Sequence, residues 1–233
     1  MVDEDGSGNR GDVFPFGDNV VDVSIGAVDL TQIDVVLYQN RQNMAVGREL
    51  LNAAGRPVPQ IYLEHDPPLA SPSEQLHPAA AAEILVVHVT PFNELFWDCG
   101  RAETATIDHG ISLMRPVAAT YEIPLGITAV NNICRRGRRV GADVLKFVRR
   151  AGIAVDLVGM NSEDLGGLGE ISPPELPEFM ANYRFYFNPS RYTSLNLAVL
   201  EAMAVGLPVV GLATTEMTTV IENGRNGFID TDP

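Results

Sequence analysis

Residues 185–230 read FYFNPSRYTSLNLAVLEAMAVGLPVVGLATTEMTTVIENGRNGFID, and this segment decides the fold. It begins with an aromatic strand that a proline ends, because proline cannot donate to a β-ladder. Apolar residues then recur at helical spacing, with Thr193 or Ser194 available to cap the helix. Gly206 ends that helix and Pro208 opens a buried strand, PVVGL. The segment is therefore predicted as strand, turn, helix, strand and second helix.

A strand that leads into a helix N-terminus is a typical phosphate site. It directs unpaired backbone N–H groups and the positive end of the helix dipole at one place. The helix carries one acid, Glu201, among alanines and aliphatic residues, where a charge is unfavourable unless it has a function or a partner. Residues 195–213 are also apolar enough to suggest a transmembrane helix. Glu201, Gly206 and Pro208 within that window favour a buried helix-turn-strand instead.

The composition is that of a globular protein with an acidic surface. The chain has 233 residues, of which 45% are hydrophobic and 20% charged, and its formal net charge is −14. Such a charge repels nucleic acid and anionic lipid, so neither is predicted as a partner. The N-terminal sequence MVDEDGSGNRGD has no apolar segment of the kind that a secretory signal needs, and we expect a cytoplasmic protein.

The cysteines and histidines do not form a metal-binding pattern. Cys99 and Cys134 are the two cysteines, too few for a disulfide framework or a zinc site. The four histidines show no metal-binding spacing either. We therefore predict no metal ligand and no cofactor.

Predicted strands and helices alternate along the chain, which indicates parallel sheets with crossover helices and an α/β fold. A segment without this pattern, SLMRPVAATYEIPL, divides the chain into residues 1–115 and 116–233, and residues 1–18 are expected to be poorly ordered. The predicted strands are 33–39, 59–65, 83–90, 105–111, 127–132, 153–160, 185–190 and 208–212, and the predicted helices are 43–53, one that begins at Pro91, one that ends at Arg150, and 174–183.

The sequence LEAMAVGLPVV, residues 200–210, resembles the nucleotide-sugar-binding half of the GT-B glycosyltransferases, in particular glycosyltransferase family 4. In that family a strand ending in Pro-Ser leads through a turn to a helix reading Leu-Glu-Ala-Met-Ala-x-Gly-x-Pro-Val-Val. The resemblance covers about residues 33–230. It implies two Rossmann-like domains, an acceptor-side domain in 1–115 and a nucleotide-sugar-binding domain in 116–233. We also expect the N-terminal domain and the C-terminal closing helices to be incomplete.

The resemblance assigns residues to the sugar donor. Glu201 takes the position of the glutamate that holds the ribose hydroxyls of the nucleotide. The turn of Thr193, Ser194 and Leu195 faces the donor. The family often has a second glutamate eight residues before the first, and this chain has Thr193 there.

An arginine-rich turn, ICRRGRRVGAD (133–143), follows a predicted strand. Diphosphate needs fixed positive charge, which arginines on a turn beside a helix N-terminus provide. The family places an arginine and a lysine in this region. The resemblance puts Asn132 near the first position and Arg138 or Arg139 at the second. A solvated basic surface is the alternative interpretation of these arginines.

A glycine-rich segment, GLGEISPPEL (167–176), precedes the strand FYFNPS. Alone it is a weak phosphate signal, because glycine loops are common. It resembles the Gly-x-Val segment that precedes the last donor strand of the family. This likeness assigns Gly169 and Glu170 to the nucleobase, through backbone groups that contact the base edges.

His65 lies at the C-terminal end of a predicted strand, within LEHDPP, where open α/β sheets bind their ligands. By the resemblance it takes the position of a histidine beside the donor sugar. There it orients the sugar or exchanges a proton with the acceptor hydroxyl. The alternative is a structural histidine that caps a turn with Asp66. His109, at a His-Gly turn, is interpreted as structural.

These residues and the resemblance predict a glycosyltransferase of the hexosyltransferase kind. It would move a sugar from a nucleotide-diphosphate donor to a hydroxyl of a glycan, lipid or small-molecule acceptor, without a metal ion. The alternative is a shortened, non-catalytic relative that binds a nucleotide or a sugar. A dinucleotide-dependent oxidoreductase is disfavoured because no Gly-x-Gly-x-x-Gly follows a strand.

Overall fold

The computed structural model describes residues 2–3, 18–21, 23–55, 57–80, 83–113 and 115–233. The predicted disorder of residues 1–18 falls mostly outside these described residues. Within them the strands form two larger parallel sheets and one short pair. The α/β fold with two parallel sheets that the sequence predicts is confirmed.

The first half of the chain forms a four-stranded sheet. This half contains the separate strand pair β1 (Val2–Asp3) and β2 (Val23–Ser24), two 3₁₀ helices (Ile25–Ala27 and Leu30–Gln32), β3 (Val36–Tyr38), α1 (Arg41–Ala54), β4 (Gln60–Glu64), β5 (Leu85–His88), α2 (Pro91–Phe96) and β6 (Thr104–Thr106). Strands β3, β4, β5 and β6 pair in that order, all parallel, and are called the N-terminal sheet. Residues 107–122 connect it to the second sheet.

The second half forms a five-stranded sheet with helices on both faces. Its elements are β7 (Ile123–Ala129), α3 (Ile133–Arg136), a 3₁₀ helix (Gly137–Val140), α4 (Ala142–Arg150), β8 (Val155–Val158), a 3₁₀ helix (Glu163–Leu165), α5 (Leu176–Met180), β9 (Tyr183–Asn188), α6 (Leu197–Val205), β10 (Val209–Leu212), α7 (Met217–Val220) and β11 (Gly227–Asp230). The order is β11-β10-β9-β7-β8, all parallel, and this is the C-terminal sheet.

Burial on both faces explains why the strands of the C-terminal sheet are continuous apolar runs. One face packs against α5, α6 and α7, with Ile127, Tyr186 and Val209 from the strands in this core. The other face packs against α4 and includes Leu157 and Phe187. The N-terminal sheet has a smaller core around Tyr38, Tyr62, Ile84 and Val86.

The predicted cap of α6 is wrong. The residue that caps the helix is Asn196, whose Oδ1 accepts the N–H of Ala198 at 3.1 Å. A cap must lie directly before the first helical residue, and α6 begins at Leu197, so Thr193 and Ser194 belong to the preceding turn. The other end is as predicted, because Gly206 ends α6 with a left-handed φ of 92°.

The apolar window 195–213 folds as a helix, a turn and a strand. Helix α6 has nine residues, and β10 follows it after a turn. In the described part of the chain, no helix has both the length and the apolar character needed to cross a membrane. The transmembrane interpretation of this window is therefore wrong.

The predicted strand 105–111 is much shorter in the structure. Only β6 is formed there, and residues 107–113 run on without regular structure. Strand β6 is the edge strand of the N-terminal sheet, so it has a partner on one side only and the ladder ends early. The consequence is functional, because the segment after β6 reaches the cleft described below.

Candidate active site in the cleft between the sheets

A cleft with a volume of about 870 Å³ is lined by both sheets. The lining comes from the residues that follow the C-terminal ends of β4, β5 and β6, and from those that follow β7, β8 and β9. Ligands of open α/β sheets bind at these strand ends, where side chains on successive loops converge. The volume lies within the range of small-molecule sites. We call this space the inter-sheet cleft.

Of the predicted site residues, six line the inter-sheet cleft and four do not. Those in the lining are His65, Glu170, Thr193, Ser194, Leu195 and Glu201, and those outside it are Asn132, Arg138, Arg139 and Gly169. The structure holds no ligand, so the assigned roles stay predictions, and the following paragraphs give the surroundings of each residue.

Glu201 is half-buried on α6 and faces the inter-sheet cleft. Burial raises the pKa of its carboxyl to about 7. Among the described residues, no hydrogen-bond donor or cation is paired with this carboxyl. Burial raises the pKa of the nearby Tyr186, and the charge of Glu201 adds to this shift. An acceptor kept partly out of water without a partner is suited to bind donors that a ligand supplies.

The turn between β9 and α6 forms the wall next to Glu201. Thr193, Ser194 and Leu195 lie in this wall. Ser194 is buried, and its hydroxyl has no hydrogen-bond partner in the described residues. Buried polar atoms are almost always hydrogen-bonded in folded proteins, so an unpaired hydroxyl at the cleft indicates a place for a polar ligand atom.

The arginine-rich turn presents a different arginine to the cleft than the sequence predicts. Arg136 lines the cleft, and burial followed by the nearby charge of Arg139 lowers the pKa of its guanidinium. Arg138 is turned away, since its exposed guanidinium contacts Asp143 at 2.7 Å. Arg139 lies outside the lining, but its Nη1 is buried and has no partner in the described part of the chain. A buried guanidinium nitrogen without a partner is a favourable binding position for an anion.

Asn132 and Gly169 support the cleft from outside its lining. Asn132 has a left-handed φ of 53°, and its Oδ1 accepts Nδ2 of Asn161 at 2.8 Å. The carbonyl of Gly169 accepts the N–H of Gly159 at 2.8 Å, while its own N–H donates to Ser162 Oγ at 3.0 Å. These bonds fix the loop that carries Glu170, which does line the cleft.

Two histidines face the cleft from the N-terminal sheet. His65 is exposed at its rim. His109 is half-buried, and its Nε2 is buried without a partner in the described residues. Burial lowers the pKa of His109; a hydrogen bond with the Leu195 backbone opposes this shift, and the nearby His65 adds to it. His109 therefore lies against the turn beside Glu201, with its pKa below the ordinary value for histidine.

His109 lines the cleft, although the sequence interprets it as structural. It lies after the C-terminal end of β6, as His65 lies after that of β4. No sequence pattern distinguishes the two histidines. The difference appears only in the fold, where one ring is exposed and the other reaches the wall formed by residues 193–195.

No cluster of metal-binding side chains accompanies these residues. Among the residues that the structure describes, no three His, Cys, Asp or Glu side chains lie close enough together to hold a metal ion. Positive charge at the cleft comes from the arginine-rich turn, through Arg136 in the lining.

Comparison with known proteins agrees with this geometry. Residues 144–233, which include α6 and Glu201, match the family model described as Glycosyl transferases group 1. The match is confined to the C-terminal part of the chain. No curated protein sequence matches the chain.

Solved structures share the fold of this chain. Sucrose-phosphate synthase from Thermosynechococcus elongatus matches with a TM-score of 0.64 at 16% identity, over 84% of this chain and 60% of the synthase. HepE of Anabaena, in complex with UDP and glucose, matches with a TM-score of 0.62 at 17% identity, over 84% and 63%. A TarM variant of S. aureus matches with a TM-score of 0.66 at 11% identity, over 85% and 45%. The fold is therefore of the GT-B type, and the chain spans less than two thirds of each of these structures.

The burial of Glu201 predicts a pH-dependent stability. In the unfolded chain a glutamate has a pKa of about 4.3, whereas the folded Glu201 carboxyl has a pKa of about 7. Between these values the folded state binds more protons, so the free energy of unfolding falls as the pH rises from 4.5 to 7 and stays low above 7. Glu201→Gln, which cannot ionise, should therefore be more stable than the parent at pH 8 and similar to it at pH 4.5.

Denaturant unfolding of the ligand-free protein at the two pH values measures this difference. Glu122→Gln serves as the control, because Glu122 is exposed and should give no pH-dependent difference. A gain for Glu201→Gln that is the same at both pH values would mean that the carboxyl is not held in an unfavourable ionised state.

Proposed function

We propose that the chain binds a nucleotide-diphosphate sugar in the inter-sheet cleft and transfers the sugar to an acceptor hydroxyl. The observation that carries this proposal is the half-buried carboxyl of Glu201 on α6, which has no partner in the described part of the chain and lies within residues that match the group 1 family. A carboxylate has two acceptor oxygens, which suit the adjacent hydroxyls of a ribose. Hydrogen bonds from those hydroxyls offset the cost of keeping the carboxyl charged.

The diphosphate fits between the wall of residues 193–195 and the arginine-rich turn. The hydroxyl of Ser194, which has no partner among the described residues, supplies a donor, and Arg136 supplies positive charge within the lining. Arg139 lies near Arg136 and has a buried guanidinium nitrogen that the described residues also leave without a partner. Charge-assisted hydrogen bonds of this kind are about twice as strong as neutral ones. Gly169 and Glu170, on the loop beside the cleft, are left for the nucleobase.

In the proposed reaction the bond between the sugar and the diphosphate breaks, and its electron pair leaves with the diphosphate. The acceptor hydroxyl forms the new bond to the sugar and loses its proton. Arg136 and Arg139 stabilise the charge that grows on the leaving diphosphate, so the step needs no metal ion. A histidine at the cleft takes up or positions the proton, and His109, whose Nε2 has no partner in the described residues, is our candidate for this acceptor.

The solved structures with a similar fold support this class of substrate. HepE is described in complex with UDP and glucose, and the TarM variant in complex with UDP and GlcNAc-glycerol. We propose a donor of the same class for this chain, and a glycan, lipid or small-molecule acceptor. We also propose that the protein works in the cytoplasm, without nucleic acid as a partner.

The direct test of the proposed function is calorimetry with UDP, GDP and ADP. The parent should bind at least one of them, and Glu201→Ala should weaken that binding by about 1.5–3 kcal/mol, the range for hydrogen bonds to a charged group. Glu122→Ala, at an exposed glutamate, is the matched control. If no nucleoside diphosphate binds the parent, the proposed function fails. If Glu201→Ala binds as tightly as the parent, Glu201 is not in the site.

A second measurement separates the arginines. Arg139→Gln should weaken the binding of the nucleoside diphosphate about tenfold or more, because a charge-assisted hydrogen bond is lost, and should leave binding of the matching nucleoside unchanged. Arg138→Gln should change neither, since Arg138 is exposed and paired with Asp143. Equal losses for nucleoside and diphosphate would show that Arg139 supports the fold rather than the phosphates.

A third measurement separates the histidines. With a donor that the parent turns over, by transfer or by donor hydrolysis, His109→Ala should lower kcat about a hundredfold, which is typical of a lost acid-base group. His65→Ala should have a smaller effect, because its ring is exposed at the rim. If His65→Ala lowered kcat more than His109→Ala, His65 would be the catalytic histidine. Donor binding without any turnover in the parent would instead favour a non-catalytic binding protein.

A further inference from the structure

Tyr192 joins the two halves of the inter-sheet cleft. Its hydroxyl donates to the carbonyl of Pro68 at 3.0 Å, and Pro68 follows His65 by three residues in the N-terminal half. Its backbone N–H donates to the carbonyl of Arg139 at 3.1 Å, in the arginine-rich turn. The next residue in the chain is Thr193, which begins the wall beside Glu201. One residue therefore contacts the proposed phosphate site and the histidine loop.

The ring of Tyr192 adds an apolar contact to these hydrogen bonds. It packs edge-on against Phe92 and Phe96 of α2, with ring centroids 5.8 and 6.2 Å away. Next to this cluster the backbone N–H of Phe92 donates to the carboxyl of Glu216, which is buried. The contact between the two halves thus has an aromatic part, which holds them together, and a single hydroxyl directed at the loop after His65.

The loop after His65 is fixed at its first residues by its own half of the protein. Glu64 Oε1 accepts the N–H of Asp66 at 2.9 Å, and its Oε2 contacts Nε2 of His77 at 3.1 Å. Trp97 Nε1 donates to the carbonyl of Asp66 at 2.8 Å. At Pro68 the bond comes from Tyr192, across the cleft. Two consecutive prolines, at positions 67 and 68, make the loop stiff between these anchors.

We propose that Tyr192 is a positioning residue that couples occupation of the donor site to the placement of the loop after His65. This inference rests on the proposed function. A diphosphate held by Arg139 and the residues 193–195 constrains the Arg139 carbonyl, which accepts the N–H of Tyr192, and the segment that follows Tyr192 in the chain. The tyrosine hydroxyl passes this constraint to the carbonyl of Pro68. The donor therefore orders the acceptor side of the cleft before the sugar is transferred.

Hydrogen–deuterium exchange of the segment 64–70 tests the coupling without any need for turnover. The probe is the tightest binder among UDP, GDP and ADP. In the parent, saturation with it should slow amide exchange in this segment. Tyr192→Phe keeps the ring and removes the hydroxyl, so this protection should be lost while the Kd for the probe changes less than about threefold. Where turnover is measurable, kcat should fall about threefold to tenfold, the worth of one neutral hydrogen bond, with the donor KM unchanged.

The matched control is Tyr121→Phe. The hydroxyl of Tyr121 also donates to a backbone carbonyl, that of Gly206 at 2.8 Å, but at the far end of α6. This variant should keep the protection of segment 64–70. If Tyr192→Phe keeps the same protection, the coupling is wrong while the proposed function stands. If the parent binds none of the three nucleotides, the proposed function fails and the coupling falls with it.

Discussion

The close contact between Gly141 and Pro189 sets the distance between the arginine-rich turn and the wall of residues 193–195. A Cβ at residue 141 would lie 2.0 Å from the carbonyl oxygen of Pro189, and φ there is +79°, so glycine is required on both counts. The contact brings the start of α4 against the end of β9. Parallel pairing of β7 with β9 has already placed both strand ends at one edge of the sheet. The arginine-rich turn and the wall before α6 lie next to each other there because the contact between Gly141 and Pro189 fixes their separation.

The sequence alone predicts the elements that depend on local patterns. Apolar runs identify the strands of both sheets except β11, helical spacing identifies the main helices, and Gly206 ends α6 as its sequence position indicates. The alternation of strands and helices predicts parallel strands, whose C-terminal ends lie at one edge of the sheet. Glu201 and residues 193–195 converge at this edge. These predictions succeed because each rests on residues that are neighbours in sequence or repeat at a fixed spacing.

Choices between equivalent side chains are set by tertiary contacts and could not be predicted. Arg136 and Arg138 are two residues apart on one turn, and nothing local separates them. In the fold Asp143 binds Arg138 and also Arg191, at 2.7 and 2.6 Å, which turns Arg138 away from the cleft. The cap of α6 fails for a related reason. The wall before the helix stays non-helical as far as Asn196, so a nearer residue takes the role that Thr193 or Ser194 could have filled.

The burial of Glu201 connects the stability of the fold to its proposed chemistry. A carboxyl in this position costs stability when ionised, as its raised pKa of about 7 shows, and the described residues provide no donor that offsets the cost. The cost in folding stability is therefore largest when the cleft holds no ligand. A ligand that brings hydroxyl donors to this carboxyl removes a penalty that already exists, and gains more than it would at an exposed or paired glutamate. Under the proposed function, the same burial that lowers the stability of the ligand-free protein near neutral pH favours a ligand with adjacent hydroxyls.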